Sequence, residues 1–400
     1  LTHDPDSLTY SGQLMPLNYA SVDKNASQYA QQAQDWLLEC KKIAGQLNTL
    51  YDEAVSDPER LRQMIELVQE SKSNLYLAKP LQEDPLRSYP APTLPDNYTL
   101  LSADGSQIVP NRHRALQFGL INVGILTVSF GSGQPPEMKL VSELLDHKDI
   151  IDEDNNLASE DDIALLRDMR ERTLIRDQIT PQLTRPILTM TDGPLDIFYR
   201  SDIQDKKRAQ TAQRQVYQLD QQLQQEGILS AGYIDKPGSS MLHSMLEIYK
   251  EVGVEPKREA DKRRISDRLL LGTRIKPGER SAVFEIISKQ RNNPLNRLRV
   301  AFFYLNVSTV EDHPWLARVE IPYWISQQQE LVGLIHAVLF ADAQVLDSHP
   351  YPYSLHRAHE LAVVKQAEYE EIENLLLAKF PEGSEITGYR SNKDFLKGLK

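Results

Sequence analysis

Two stretches of this chain place a carboxylate directly ahead of a glycine at the end of an apolar run. Asn97-Tyr98-Thr99-Leu100-Leu101-Ser102 leads into Ala103-Asp104-Gly105-Ser106-Gln107-Ile108. Arg185-Pro186-Ile187-Leu188-Thr189-Met190-Thr191 leads into Asp192-Gly193-Pro194-Leu195. Each reads as a buried strand that delivers an Asp into a tight Gly turn. A strand fixes the carboxylate, and Gly lets backbone or a phosphate come close. A single Asp-Gly pair is more often a plain turn. Two such strands side by side in one sheet would bring both carboxylates to one edge. With a third carboxylate and no Cys or His cluster, that donor set suits hard divalent ions, Mg²⁺ or Mn²⁺. Such ions in pairs carry out in-line phosphoryl chemistry. Glu171 precedes the second strand on a helix that Ser159-Glu160-Asp161-Asp162 opens, with acids at its positive end. The ordinary reading of Glu171 is a surface residue in a charge-patterned helix.

The elements that must position these residues follow from hydrophobic period. Residues 26–55 and the stretch after Ser56-Asp57-Pro58-Glu59 predict two helices, the second with an N-cap at Ser56 and Pro in its first turn. Residues 79–95 hold five prolines and read as a linker. The near-continuous apolar run 118–130 predicts a central strand, and 131–136 a turn. That turn lacks the Gly-x-x-x-x-Gly-Lys spacing of a phosphate loop. The acidic run 146–156 reads as a solvated loop. Further on come a polar helix over 203–226, a strand over 228–234 ending in Asp235-Lys236-Pro237, and a short helix over 241–252. Strands are expected over 281–288, 298–307 and 317–325, then helices over 329–346 and 355–380. Strands interleaved with helices make the class mixed α/β.

Composition narrows the function classes. The 400 residues carry a net charge of −12, which argues against a surface that binds nucleic acid everywhere. A local basic channel remains compatible with it, because salt screens distant charges within about 10 Å. The densest basic cluster is Lys257 to Arg268, with Lys262, Arg263 and Arg264 at its centre. Lys289, Arg291, Arg297 and Arg299 form a second. The single cysteine, Cys40, permits no internal disulfide and no cysteine-based zinc site. No apolar run reaches the ~18–20 residues that span a bilayer. The start of the sequence is acidic and lacks the apolar core of a signal peptide. A cytoplasmic protein without membrane contact is the expectation.

The motifs together resemble the NurA family of DNA-end-processing nucleases. The matching pieces are ADGSQI at 103–108, TDGPL at 191–195, AGYIDKP at 231–237, GERSAVFEIISK at 278–289, ARVEIP at 317–322 and YPYSLHRAH at 351–359. They occur in the family's order across roughly residues 95–370. The resemblance implies an RNase H-like mixed central sheet flanked by helices. Residues 1–95 then form a helical N-terminal extension and linker, and 96–400 a nuclease domain with a basic segment inserted near 255–300. It also implies a DNA nuclease dependent on Mn²⁺ or Mg²⁺, with two ions, that trims ends in the 5′ to 3′ direction and cuts single strands. The implied partners are DNA, a second copy of the chain and a ring-shaped HerA-type ATPase, in the resection of double-strand breaks. The family's acids fall on Asp104, Asp192 and Glu171, with Asp168 and Asp177 as alternatives on the same helix. Its Tyr and His fall on Tyr351 and His359. Asp104, Asp192, Glu171 and His359 are then the metal ligands, and Lys236, Lys262, Arg263, Arg264 and Lys289 contact DNA.

Two other readings are weighed. A silent adaptor that guides DNA to a translocase would keep the basic tracts and lose the acids, yet Asp104 and Asp192 are both present. An actin-like phosphotransferase on the same fold would need Gly-rich phosphate loops, and none is found.

Overall fold

The computed structural model of the chain describes residues 18–70, 76–114, 116–151, 156–196, 206–250, 265–287, 298–311, 313–346 and 349–380. Helix α1 (Tyr19–Ser56) starts where the Asn18 side chain accepts from Ser21 N–H at 3.0 Å. Helix α2 (Pro58–Glu70) carries Pro at its first position. Asp57, not Ser56, caps it, its Oδ1 accepting from Arg60 N–H at 3.2 Å. Then come β1 (Leu77–Pro80), β2 (Tyr89–Pro90), β3 (Tyr98–Ile108), β4 (Leu120–Phe130) and β5 (Glu137–Leu144). After α3 (His147–Ile150) and α4 (Glu160–Gln178) the chain forms β6 (Ile187–Asp192), α5 (Lys206–Gln225), β7 (Leu229–Ile234), α6 (Met241–Lys250) and α7 (Asp267–Leu271). The remaining elements are β8 (Glu279–Arg280), β9 (Phe284–Ile287), β10 (Val300–Asn306), β11 (Leu316–Pro322), α8 (Tyr323–Ser326), α9 (Gln329–Ala343), α10 (Tyr353–Ala362) and α11 (Gln366–Leu377).

The strands form one mixed sheet in the order β1-β9-β10-β11-β7-β6-β3-β4-β5. Its heart is RNase H-like: β3, β4 and β5 run antiparallel, and β6 and β7 add in parallel on the other side of β3. Parallel neighbours need crossovers, and α4 and α5 supply them. These two helices pack on one face around Leu101, Ala103, Ile187 and Ile228. Further along the sheet α1, α2 and α6 cover the same face over Phe284, Phe302 and Tyr304. The other face is covered by α9 and α10 over Met190, Phe303 and Val319. Among the described residues no helix is long and apolar enough to cross a membrane.

The structure differs from the sequence expectation at several places. Residues 79–95 are more than a linker: β1 pairs with β9 and β2 with β8. Gly105 makes no turn, because β3 runs on through it to Ile108. β5 was not expected as a strand; most of it is exposed, so its apolar residues follow no buried period. The final helix is two, α10 and α11, broken at Val363-Val364-Lys365. The acidic loop includes the helical turn α3, where Asp149 pairs with Arg208 at 3.3 Å. Lys262, Arg263, Arg264, Lys289, Arg291 and Arg297 lie outside the described residues.

Candidate active site

Strands β3 and β6 are parallel, with Ala103 beside Thr191. Asp104 and Asp192 are therefore the next pair along and share one face of the sheet. The neighbours of Asp104 on its own strand identify that face. Ser102 Oγ donates to Ser354 Oγ at 2.7 Å, and Ser106 Oγ donates to the Ala362 carbonyl, so both meet α10. Between them, Asp104 Oδ2 lies 2.7 Å from His359 Nδ1. The imidazole is 61 % exposed, whereas the Asp104 side chain is 15 % exposed. His359 sits in the second turn of α10, whose start is held by Asp342: its Oδ2 accepts from Ser354 N–H at 3.1 Å and from Ser354 Oγ at 2.6 Å.

Asp192 ends β6, and Gly193 then turns the chain with a φ of 97°, a left-handed backbone that suits glycine. Two contacts secure this turn. Gly193 N–H donates to the Tyr233 carbonyl at 2.7 Å, and Leu195 N–H donates to Glu320 Oε2 at 3.0 Å. Glu320 is fully buried and paired with Arg318 at 2.9 Å, which gives the ARVEIP stretch a structural part in the site. The Tyr351 hydroxyl faces the Asp192 carboxylate, and its ring meets Tyr233 edge-on at 5.6 Å between centroids. Burial, with the Asp104 charge beside it, pushes the Asp192 carboxyl up to about 6, against the opposing Tyr351 hydrogen bond. Burial and the same carboxylates raise the Tyr351 phenol.

Glu171 approaches from the opposite face. Gly105 points toward α4, and a Cβ there would lie 2.6 Å from Glu171 Oε1 and 2.8 Å from Arg167 Cγ. The glycine is thus what lets Glu171 reach the backbone next to Asp104. Glu171 is 5 % exposed, with Arg167 Nε 3.2 Å from its Oε1. Oε1 nevertheless accepts no aligned hydrogen bond. Burial first, then the Asp168 charge, raises its carboxyl well above the usual range; Arg167 opposes this. Asp168 is half exposed and paired with Arg167 at 3.1 Å, and Asp177 is exposed further along α4. Of the three helical acids, Glu171 is the one tucked beneath β3.

The NurA domain matches residues 98–364 of this chain. The chain belongs to the NurA family. It is similar to the NurA nuclease from Sulfolobus solfataricus at 14 % identity and a TM-score of 0.45, over 86 % of this chain and 99 % of that one. A structure of NurA bound to dAMP and manganese is similar at 10 % identity and a TM-score of 0.37, over 89 % and 98 %. Endonuclease V from Ciona intestinalis, in complex with a 24mer DNA, is similar at 12 % identity and a TM-score of 0.30, over 70 % and 87 %. Among curated proteins none matches.

In this NurA-family chain, no three His, Cys, Asp or Glu side chains among the described residues converge closely enough to cage a metal ion as they stand. The donor chemistry still fits a hard divalent cation. Asp104 and Asp192 repel each other on one face, Glu171 adds a buried carboxyl beneath it that Arg167 only partly offsets, and His359 offers an imidazole at the rim. A cation would relieve that repulsion. Asp104, Asp192 and His359 share the face that would hold it; Glu171, expected from the sequence as a fourth ligand, lies on the other face and would add only its charge from beneath.

Sequence reasoning missed three neighbours. Arg167 is the cation that partly neutralises Glu171 and feels Asp104. Asp235, just past β7, adds its charge to Asp192. Trp315, ahead of β11, donates from Nε1 to Asp235 Oδ1 at 2.7 Å. The Asp-Lys-Pro after a Gly-containing strand was the visible signal for Asp235. Nothing local points to Trp315, which arrives through the β7–β11 pairing. Lys236 is beside it, its Nζ 4.0 Å from the Trp315 ring centroid.

Proposed function

We propose that this chain is a metal-dependent DNA nuclease, a hydrolase of phosphodiester bonds. The observation that carries the reading is the placement of Asp104 and Asp192 at one register position on adjacent parallel strands, with His359 on Asp104. A divalent cation bound there supplies charge neutralisation at the scissile phosphate and a water nucleophile near neutral pH. The protein's own groups do the rest. Asp104 and Asp192 are held rigidly by strands, so their carboxylates lose little freedom on binding. Tyr351, whose hydroxyl faces Asp192, stabilises that carboxylate's charge. His359, exposed at the rim with one nitrogen on Asp104, is placed to ligate through its other nitrogen or to pass a proton to bulk water. Glu171 completes the charge from beneath the strand.

The finer reading follows the family. Mn²⁺ or Mg²⁺ is the cation, with two ions in the chemistry. The activity is 5′ to 3′ exonuclease with single-strand endonuclease, in cytoplasmic resection and repair of double-strand breaks beside a HerA-type hexameric ATPase. Lys236, Lys262, Arg263, Arg264 and Lys289 contact the DNA backbone. The chain acts as a homodimer; the exposed Tyr29, Trp36, Leu37 and Leu38 on α1 support a partner on that helix.

End-labelled single- and double-stranded DNA incubated with Mn²⁺, Mg²⁺ or EDTA tests the reading. Cutting that requires the metal and disappears in Asp104→Asn is the expected result. Metal-independent cutting, or none under any condition, rejects it. Light scattering at micromolar concentration tests the dimer; a species of about 46 kDa alone would count against it.

A further inference from the structure

Just past β7 the chain passes through Asp235, Lys236 and Pro237. Trp315 stands across from them, because β11 runs antiparallel to β7 with Arg318 beside Ile234. The Trp315 backbone is clamped on both sides: its N–H donates to Asn306 Oδ1 at 3.2 Å, and its carbonyl accepts from Val307 N–H at 2.9 Å. Its indole Nε1 donates to Asp235 Oδ1 at 2.7 Å. Over the ring lies Lys236 Nζ, 4.0 Å from the centroid and 4.0 Å from Asp235 Oδ2. Lys236 also has a φ of 43°, which is unfavourable for a side chain with a Cβ.

Lysine is ordinarily a mobile, fully hydrated point charge. Here an aromatic face, a carboxylate and an uncommon backbone conformation all restrain one. The Lys236 side chain nevertheless remains 52 % exposed, so the charge is held and still offered to solvent. Its location is specific. Tyr233 pairs with Asp192 in the β6–β7 ladder, so Lys236 lies one strand over and three residues further toward the edge that carries the acids. A polyanion approaching that edge meets Asp104, Asp192 and Asp235, and a fixed cation beside them offsets the repulsion.

We propose that Trp315 is a positioning residue: its indole, anchored by Asp235, carries the Lys236 ammonium and presents it to a backbone phosphate of bound DNA at the rim of the carboxylate site. This rests on the nuclease reading above. A lysine acts on phosphate as a point charge, so its placement matters more than its shape. A ring beneath it sets that placement through the cation–π attraction.

The test measures binding of a fluorescent single-stranded oligonucleotide in EDTA, so that no cutting intervenes, at several salt concentrations. Lys236→Gln and Trp315→Leu should each weaken binding by about 5–10-fold and lower the salt slope by about one. The double variant should bind no worse than the weaker single, because both remove the same contact. Trp315→Phe keeps a ring under the ammonium and should recover most of the affinity. Additive losses, or an unchanged salt slope in a folded Trp315→Leu protein, overturn the proposal. Cutting lost in Asp104→Asn while Trp315→Leu binds normally would overturn this role and leave the nuclease reading intact. A wild-type chain that neither binds nor cuts DNA removes both.

Discussion

Asp104 stands opposite Gly124 in the β3–β4 ladder, and a Cβ on that glycine would lie 2.4 Å from the Ala358 carbonyl oxygen. Helix α10 therefore rests its backbone on β4 at the position paired with the catalytic candidate. One residue later, His359 falls 2.7 Å from Asp104. The missing side chain on one strand is the reason that a helical imidazole can reach the carboxylate on the next.

Alanine at the two glycines of the site should therefore have different consequences. Gly124→Ala meets fixed backbone and should cost ~1–3 kcal/mol in urea unfolding, with cutting reduced as α10 lifts. Gly105→Ala meets side-chain atoms, the Glu171 carboxylate oxygen and the Arg167 stem, which can shift where backbone cannot. It should lose less stability than Gly124→Ala yet cut far more slowly. Equal losses of stability in both would refute the distinction.

Asp104→Asn should abolish cutting, by at least ~10³-fold, with the melting temperature near that of wild type. The amide keeps the shape and discards the charge that would hold a cation. A variant that cuts at the normal rate would move the chemistry elsewhere.

His359→Ala should lower turnover by ~10²-fold with little change in melting temperature. The reason is its exposure: a 61 % exposed side chain contributes little packing, while its contact with Asp104 is direct. A lower melting temperature with full turnover would make it a structural histidine instead.

A pH effect on stability should appear at Asp220, away from the acids of the site. Burial pushes its carboxyl up to about 6 from an ordinary 3.8, against a hydrogen bond from Trp324. In the unfolded chain it ionises near 3.8, while in the folded protein it stays protonated until about 6. Stability from this group is thus fully present below the lower value and lost as pH rises through the upper. Two pH units correspond to at most ~3 kcal/mol. Asp220→Asn, neutral throughout, should be more stable than wild type at pH 7 and lose that advantage by pH 4. Chemical denaturation of both proteins across that range measures it.

Much of the architecture was legible because it follows local rules. The β3 and β6 strands announce themselves as apolar runs, and the parallel β6 and β7 need the helices that precede them. α4 was legible from its acidic start, where Ser159 and Asp162 form a capping box. The site was legible only as far as each residue signals by itself. Asp104 and Asp192 do, at the ends of apolar runs. That Glu171 comes from the opposite face, and that Gly105 exists to admit it, depends on how α4 crosses the sheet. Nor does any local pattern tell that Gly124 seats a helix, since an apolar strand with a glycine reads the same way without one. β5 escaped because an edge strand with both faces largely in water has no buried stripe to mark it.

The ion pair between Glu83 and Arg280 has a consequence for how the protein can be cut down. Two hydrogen bonds of 2.6 and 2.7 Å join them, and both side chains are almost wholly shielded from water. Glu83 comes from residues ahead of the matched family region, which starts at residue 98. Excising everything before that point would strand a guanidinium in the interior with its counter-charge gone, a loss that ordinarily costs several kcal/mol. It would also strip β1 from the open side of β9. A fragment trimmed to the family's own limits thus inherits an unfilled charge and a raw sheet edge. The smallest autonomous piece of this protein is therefore longer than the stretch that the NurA domain matches.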